Sequence, residues 1–348
     1  MEAITTPMKI TIIGAGSWGT AMATHAAKSS AHTNQITLCP RLEVQAQVLR
    51  ADGENKRYLP DVALPKNLKI DTCWQDIFAM PNEPNHLLVI ATPFSGLKDI
   101  AQDILALGHF PKYWVWLCKG IDPDNGKLSH EILTEVFLQY PQSKNISVGI
   151  LSGPSFAIEV AKGMPCALTI ASSSQELCLM TQHAFHHDNM RIYATDDVIG
   201  VELGGAIKNI LAIATGIADG LHLGLNARAA LITRGMAEMT RLGIALGAQP
   251  ETFAGLTGLG DLILTATGDL SRNRRVGLAL AQGQSLQEIL NGLGHVAEGV
   301  RCANAVLELA NTHQVDMPIV QAVVKVLDQK LNPQQAVAEI MSRDPKQE

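Results

Sequence analysis

The sequence lacks any Cys-x-x-Cys pair. Its six cysteines, Cys39, Cys73, Cys118, Cys166, Cys178 and Cys302, are scattered along 348 residues. In a chain of this length an even count does not make a disulfide framework, so reduced, buried thiols are expected. Basic charge is also scarce. There are 27 Lys and Arg against 33 Asp and Glu, a net charge of -6, so no general basic field exists to hold nucleic acid. No apolar stretch reaches membrane-spanning length, because the longest run, 207–217, is broken by Lys208, Asn209, Thr215 and Gly216, and no membrane insertion is expected. Met1 to Met8 carry no basic n-region, and the apolar run 10–13 is too short for a signal peptide. These absences predict a cytoplasmic protein. No internal repeat or low-complexity linker interrupts the chain.

What is present is apolar bulk. Hydrophobic residues make up 47% and charged residues 17%, a composition that buries a large core. The length exceeds one ordinary core, so two domains are expected. Strand patterns at 8–13, 36–39, 86–91, 114–118, 146–150 and 166–170 alternate with helical patterns at 19–28, 41–51, 96–105 and 128–138. That alternation predicts a parallel sheet covered on both faces. Beyond Asp196 only helical patterns follow, at 198–217, 227–246, 274–281, 298–310 and 319–327. The predicted organisation is an α/β Rossmann-type domain over 1–196 and an all-α domain over 197–348.

Gly14-Ala15-Gly16-Ser17-Trp18-Gly19 fits G-x-G-x-x-G, follows a β-branched strand and opens a helix, the context that makes it a dinucleotide fingerprint. Gly14 permits the tight turn, Gly16 the approach of the pyrophosphate, and Gly19 close helix–strand packing. The helix N-terminus supplies free N–H groups to the phosphates. At the end of the second strand, an acid would favour NAD and an Arg NADP. Arg41 comes first after that strand and Glu43 lies two residues further, so NADP is favoured over NAD.

In the helical half, Lys208 lies in an apolar run with Gly204, Gly205, Leu211, Ala212 and Thr215 on its face. Two readings stand: a lysine withdrawn from water, with a lowered pKa, acting as acid/base, or a lysine snorkelling from a helix flank. Ser271-Arg272-Asn273-Arg274-Arg275 opens a helix with Ser271 as its N-cap. Three arginines there oppose the helix dipole, a conflict that a bound anion resolves. Gly153-Pro154-Ser155-Phe156-Ala157 follows a strand and starts a helix, with Pro154 suited to the first helical position. Lys119 follows the strand 114–118, at the end where open α/β sheets bind ligands. His183, His186, His187 and Asp188 have helical spacing but no third cluster, so they read as surface or helix-end residues and no metal is expected. Trp114 and Trp116 read as packing residues.

With these residues in view, the chain resembles the bacterial-type NAD(P)-dependent sn-glycerol-3-phosphate dehydrogenases. The matching stretches are 14–21, Cys118-Lys119-Gly120-Ile121, 151–157, Glu202 to Asn209, Gly258-Leu259-Gly260-Asp261-Leu262, Ser271-Arg272-Asn273 and Glu298-Gly299. They run in the family's order over almost the whole chain. One departure is Cys39-Pro40-Arg41, where the family more often has an aromatic two residues before its Arg. The resemblance implies a 6-phosphogluconate-dehydrogenase-like architecture, with the helical domain holding substrate. It implies that Ser17, Trp18, Arg41, Lys119, Ala157, Arg272, Val296 and Glu298 line the cofactor. It further implies that Lys119, Gly153, Ser155, Lys208, Asp261, Ser271, Arg272 and Asn273 hold a small phosphate substrate, with Lys208 as acid/base. The implied reaction is reduction of dihydroxyacetone phosphate to sn-glycerol 3-phosphate, a phospholipid precursor, with a homodimer as the assembly to test. Two alternatives remain at this stage: a 3-hydroxyacid dehydrogenase or ketopantoate reductase with a carboxylate substrate, and a non-catalytic dinucleotide sensor.

Overall fold

The structure, a computed structural model, describes residues 7–29, 34–78, 85–108, 110–293 and 297–344. The chain divides into two compact units, Met1–Cys118 with Ser129–Val198, and Lys119–Leu128 with Ile199–Glu348. Each has its own hydrophobic core.

The first unit is built on β1 (Lys9–Ile13) and β2 (Gln35–Cys39), a small hairpin of β3 (Glu54–Asn55) and β4 (Leu59–Ala63), then β5 (Lys69–Ile70), β6 (His86–Ile90), β7 (Tyr113–Trp116), β8 (Ser147–Ser152), β9 (Cys166–Ala171) and β10 (Met190–Thr195). Eight of these form one sheet in the order β10-β9-β8-β7-β6-β1-β2-β5. The six expected strands are all present. Trp114 and Trp116 are fully buried in β7, as packing residues should be. β1 pairs with β2 on one side and β6 on the other, both parallel. The chain leaves β1 at the point where strand order reverses, where open sheets of this kind bind ligands.

The sheet is not wholly parallel, as the alternation predicted. β8 and β9 are antiparallel. The 13 residues between them hold only the helix Ala157–Ala161. Five helical residues rise about 7.5 Å, too short to carry the chain back along a six-residue strand of about 20 Å, so the chain reverses instead. β10 has no apolar run because it alternates, burying Met190 and Ile192 and exposing Arg191 and Tyr193, the pattern of an edge strand covered on one face.

After Thr195 the described residues form helices and turns. The centre of the second unit is the helix Val198–Gly220, buried without a break from Gly200 to Ala218. By length and composition it is long and apolar enough to cross a membrane, which corrects the expectation that Lys208 and Asn209 interrupt the run. Both polar side chains are bonded inside the protein, so the helix continues through them. Of its most apolar window 89% is buried within the protein itself, the environment of a core helix apolar on every face. All six cysteines are free; four are buried, whereas Cys73 and Cys166 are half-buried. Burial pushes the thiols of Cys39 and Cys302 up to about 12, which leaves them unreactive.

Candidate functional site

In the first unit, the three glycines of the fingerprint differ in a way that follows from their surroundings. Gly14 has φ +110°, and a Cβ there would come within 2.8 Å of the Ala91 carbonyl oxygen. A Cβ on Gly19 would overlap the Gly14 carbonyl. Gly16 faces open space, with nothing within 4 Å of its Cβ position. The helix Ser17–Lys28 begins directly after it, with no side-chain cap and no acidic residue in its first turn. Its free N–H groups and positive dipole end are thus available to an anion. A pyrophosphate fits this cradle: space at Gly16, uncapped donors beyond it, and no competing carboxylate. Asn55 braces the turn by donating to the Ala15 carbonyl at 3.0 Å and to Thr20 Oγ1 at 2.7 Å. Ser17 Oγ donates to the Tyr58 carbonyl at 2.5 Å. Trp18 is half-buried beside it.

Arg41 is exposed just beyond β2 and forms no hydrogen bond with another described residue. Glu43 starts the next helix, and its carboxylate is engaged. It accepts from Arg50 at 2.8 Å and from Thr72 Oγ1 at 2.5 Å, and the Arg50 hydrogen bond is the main reason its pKa is lowered.

Also in the first unit, Gly153 adopts φ +136° and its carbonyl accepts from Ser155 Oγ at 3.1 Å. The helix here begins at Ala157, with Phe156 as N-cap. Pro154 is therefore not at the first helical position. The chain needs Gly153 to Phe156 to turn out of β8 first. His187 Nδ1 sits 3.2 Å from Asp188 Oδ2 and its ring stacks on buried His25, 4.1 Å between centroids. Among the described residues no group of three or more His, Cys, Asp or Glu is arranged to hold a metal.

The second unit holds a denser cluster. Lys208 is only 7% exposed and Asp261 only 1%. Lys208 Nζ donates to Asp261 Oδ1 at 2.5 Å and to Thr265 Oγ1 at 2.9 Å. Lys119 Nζ donates to the other oxygen, Asp261 Oδ2, at 2.6 Å. One buried carboxylate therefore carries two ammonium groups. Asp261 follows a π-helical turn, Leu256–Gly260, and opens the helix Asp261–Thr267. The two run on as one helix, Leu256–Thr267, and π turns concentrate at functional sites. Burial opposes ionisation of Asp261, but the two lysines outweigh it and its pKa is lowered. Burial brings Lys208 down to about 8, assisted by Lys119 and opposed by Asp261. The snorkelling reading fails, since the ammonium points to a buried acid and not to water. The small residues beside Lys208 make room for the chain itself. A Cβ on Gly205 would press on the stem of Lys119 at 3.2 Å, and one on Gly204 on the Thr257 carbonyl at 2.6 Å. Thr265 has no motif of its own in the sequence; its spacing of four from Asp261 is the one signal that it shares that residue's helix face.

Ser271 caps the helix Arg272–Ala281, accepting from the Arg274 N–H at 3.2 Å. The three arginines behave differently. Arg274 is held by Asp219 and Asp269, and Arg275 donates to the Leu270 carbonyl at 3.3 Å. Arg272 is exposed and makes no hydrogen bond among the described residues. Buried Asn273 donates to Asn209 Oδ1 at 2.9 Å and accepts from the Gly299 N–H at 3.0 Å, which ties together the segments that carry Lys208, Arg272 and Glu298. Glu298 opens its own helix, half-buried, and burial raises its pKa against the pull of Arg301 and Arg272. Val296 lies outside the described residues.

Two family models match the chain: the N-terminus of NAD-dependent glycerol-3-phosphate dehydrogenase over residues 9–178, and its C-terminus over residues 197–338. A glycerol-3-phosphate dehydrogenase [NAD(P)+] of Ralstonia nicotianae is 54% identical over 98% of this chain and 99% of the relative. The same-named protein of Polynucleobacter asymbioticus is 54% identical over 97% and 99%. The crystal structure of glycerol-3-phosphate dehydrogenase from Coxiella burnetii superposes with a TM-score of 0.86, at 38% identity over 97% of this chain and 99% of that one.

Proposed function

The chain belongs to the NAD-dependent glycerol-3-phosphate dehydrogenase family, and from that membership we propose how its residues share the work. The enzyme is an oxidoreductase that uses NAD(P) to interconvert dihydroxyacetone phosphate and sn-glycerol 3-phosphate, supplying glycerophospholipid synthesis. The observation that carries the assignment of roles is the pair of lysines, buried Lys208 and half-buried Lys119, on the buried carboxylate of Asp261.

The first unit holds the dinucleotide, with Gly14, Gly16 and Gly19 shaping the cradle, Ser17, Trp18 and Ala157 lining it, and Arg41 on the adenosine side. Gly153 and Ser155 contribute to substrate binding. A bound reduced nicotinamide supplies a hydride. In the second unit, Lys208 transfers its Nζ proton to the C2 oxygen of the ketone as that oxygen gains charge. A pKa of about 8 suits this task, because the group is protonated at neutral pH yet releases its proton more readily than a free lysine. Lys119, on the other oxygen of Asp261, stabilises the developing alkoxide. Asp261 holds both ammonium groups in place, and the neutral amine left on Lys208 recovers its proton from water. Arg272, with Ser271 and Asn273 at the same helix start, grips the phosphate, and Glu298 borders the cofactor. Six free thiols and a core without a disulfide agree with the cytoplasm, and a homodimer is the assembly to be tested by sedimentation.

Lys208→Met tests this reading, since it keeps stem length and apolar packing while deleting the ammonium. Initial rates with dihydroxyacetone phosphate and NADPH should fall in kcat by about 10²–10⁴-fold, with the Kd for NADPH little changed. A near-normal kcat would remove Lys208 from the chemistry.

A further inference from the structure

The helix Val198–Gly220 carries three charged side chains, Glu202, Lys208 and Asp219, and the reaction does not use the last of them. Asp219 lies eleven residues after Lys208. At 100° per residue that is three turns and about 20°, so both occupy one face, about 16 Å apart along the axis. The helix Arg272–Ala281 lies against this same helix. A Cβ on Gly216 would overlap the Arg274 carbonyl, and a Cβ on Gly277 would overlap the Ile213 carbonyl, so the backbones touch with no side chain between them. Glycine contacts of this kind bring helices close but do little to fix their rotation or slide.

Asp219 supplies that restraint. Its side chain is 9% exposed. Oδ2 accepts from Arg274 Nε and Nη2 at 2.9 and 2.8 Å, and Oδ1 accepts from Arg228 Nε and Nη2 at 2.8 and 2.7 Å. Two paired donors on each oxygen make a directional lock. The added contact of Arg274 with Asp269 reaches a side chain 97% exposed and is worth little. We infer that Asp219 is a positioning residue for phosphate recognition, fixing the turn from which Arg272 extends. By holding the Arg274 guanidinium, it also keeps that arginine from competing with Arg272 for an anion. The inference rests on the reading of Arg272 as the phosphate grip.

Asp219→Asn keeps the side chain's size and removes its charge. The KM for dihydroxyacetone phosphate should rise about ten- to a hundredfold, the scale of a displacement near 1 Å. By contrast kcat should change less than the KM, and the Kd for NADPH should stay put. In an Arg272→Ala background the same substitution should add little. Arg274→Lys keeps the charge but loses the fork, so it should raise the KM in the same sense by a smaller factor, and it decides the matter if Asp219→Asn does not fold. Equal losses in kcat, KM and NADPH binding would reduce Asp219 to a structural role, and an undiminished effect in the Arg272→Ala background would do the same. If Arg272→Ala raises the KM and neither Asp219→Asn nor Arg274→Lys does, the inference about Asp219 falls alone. If Arg272→Ala leaves the KM unchanged, the phosphate reading of Arg272 falls, and this inference with it.

Discussion

At the scale of single residues, what a charged group can do depends on what already holds it. Glu43 and Arg41 are neighbours beyond β2, and each could speak for a different cofactor. Glu43 is committed to Arg50 and Thr72, while Arg41 is exposed and unbonded among the described residues. The expectation that NADP is favoured over NAD therefore has a second support besides the order of two residues. Arg41→Ala should raise the KM for NADPH about 10- to 100-fold more than that for NADH, the equivalent of one charged hydrogen bond of roughly 1.5–3 kcal/mol. Parallel initial-rate series with the two cofactors would show it, and equal effects would take Arg41 away from the 2′-phosphate. The same dependence on partners limits what sequence can reveal. Lys208 is legible as a lysine in an apolar run with small neighbours. Its carboxylate lies 53 residues away and its neighbouring ammonium 89 residues away, so neither the acid nor the pKa can be read from the local pattern. Asn273 is legible as part of a motif, but not as a clamp on Asn209 and Gly299.

At the scale of elements, long apolar helices and buried strands are legible because their burial repeats along the chain. Edge strands and short helices are not. β5 spans two residues and β10 alternates, and the helices Asp261–Thr267 and Pro333–Met341 take their stability from packing more than from pattern. Helix ends can also be completed from far away. The helix Pro318–Leu327 has no side-chain cap of its own. Buried Glu238, on the helix Gly224–Ala245, accepts from the N–H groups of Ile319 and Val320 at 2.8 and 3.2 Å. Burial nonetheless pushes Glu238 up to about 7, against those two donors. A carboxyl raised from 4.5 to about 7 holds its proton better in the folded state. Its contribution to stability is full below pH 4.5 and is lost as pH rises through 7. The span is about 3 kcal/mol as an upper figure. Glu238→Gln keeps an acceptor for the cap and abolishes this titration. Thermal unfolding should therefore find the variant gaining on the parent between pH 5 and pH 8. A constant difference across that range would show that Glu238 ionises at no cost to the fold.

At the scale of the whole molecule, burial shifts titratable groups in the two cores so that they should respond to pH with opposite signs. The division into a sheet unit and a helical unit follows from the change of pattern near Asp196. The grouping of Lys119–Leu128 with the helices comes from tertiary contacts such as Lys119 on Gly205 and Asp261, which leave no periodic trace. The sheet unit contains two buried histidines outside the proposed chemistry. His86 shares a hydrogen bond with Thr11 Oγ1 at 2.8 Å, and His25 stacks on His187 and bonds the Phe185 carbonyl at 3.0 Å. Burial is the main cause that lowers them, His25 to about 4 and His86 to about 3. Lys9 lowers His86 further, and around His25 the pull of Asp188 is outweighed. Both stay neutral in the folded state, while an unfolded histidine takes up a proton below about 6.5. Their contribution is therefore present above pH 6.5 and is lost as pH falls towards 4 and 3. At pH 5 each costs roughly 2 kcal/mol, and the sheet unit bears both. Acid should thus weaken the dinucleotide unit first, while Glu238 makes the helical unit firmer over the same range. Calorimetry at pH 5 and pH 8, read with a chain bearing His86→Asn, is the direct measurement. The transition that moves down at pH 5 should be the one that NADPH moves up, because ligand bound to the folded form stabilises the unit that holds it. The variant should show a shallower fall with acid. A pH 5 transition that NADPH leaves in place would locate the acid-sensitive step in the helical unit, against the burial of these two histidines.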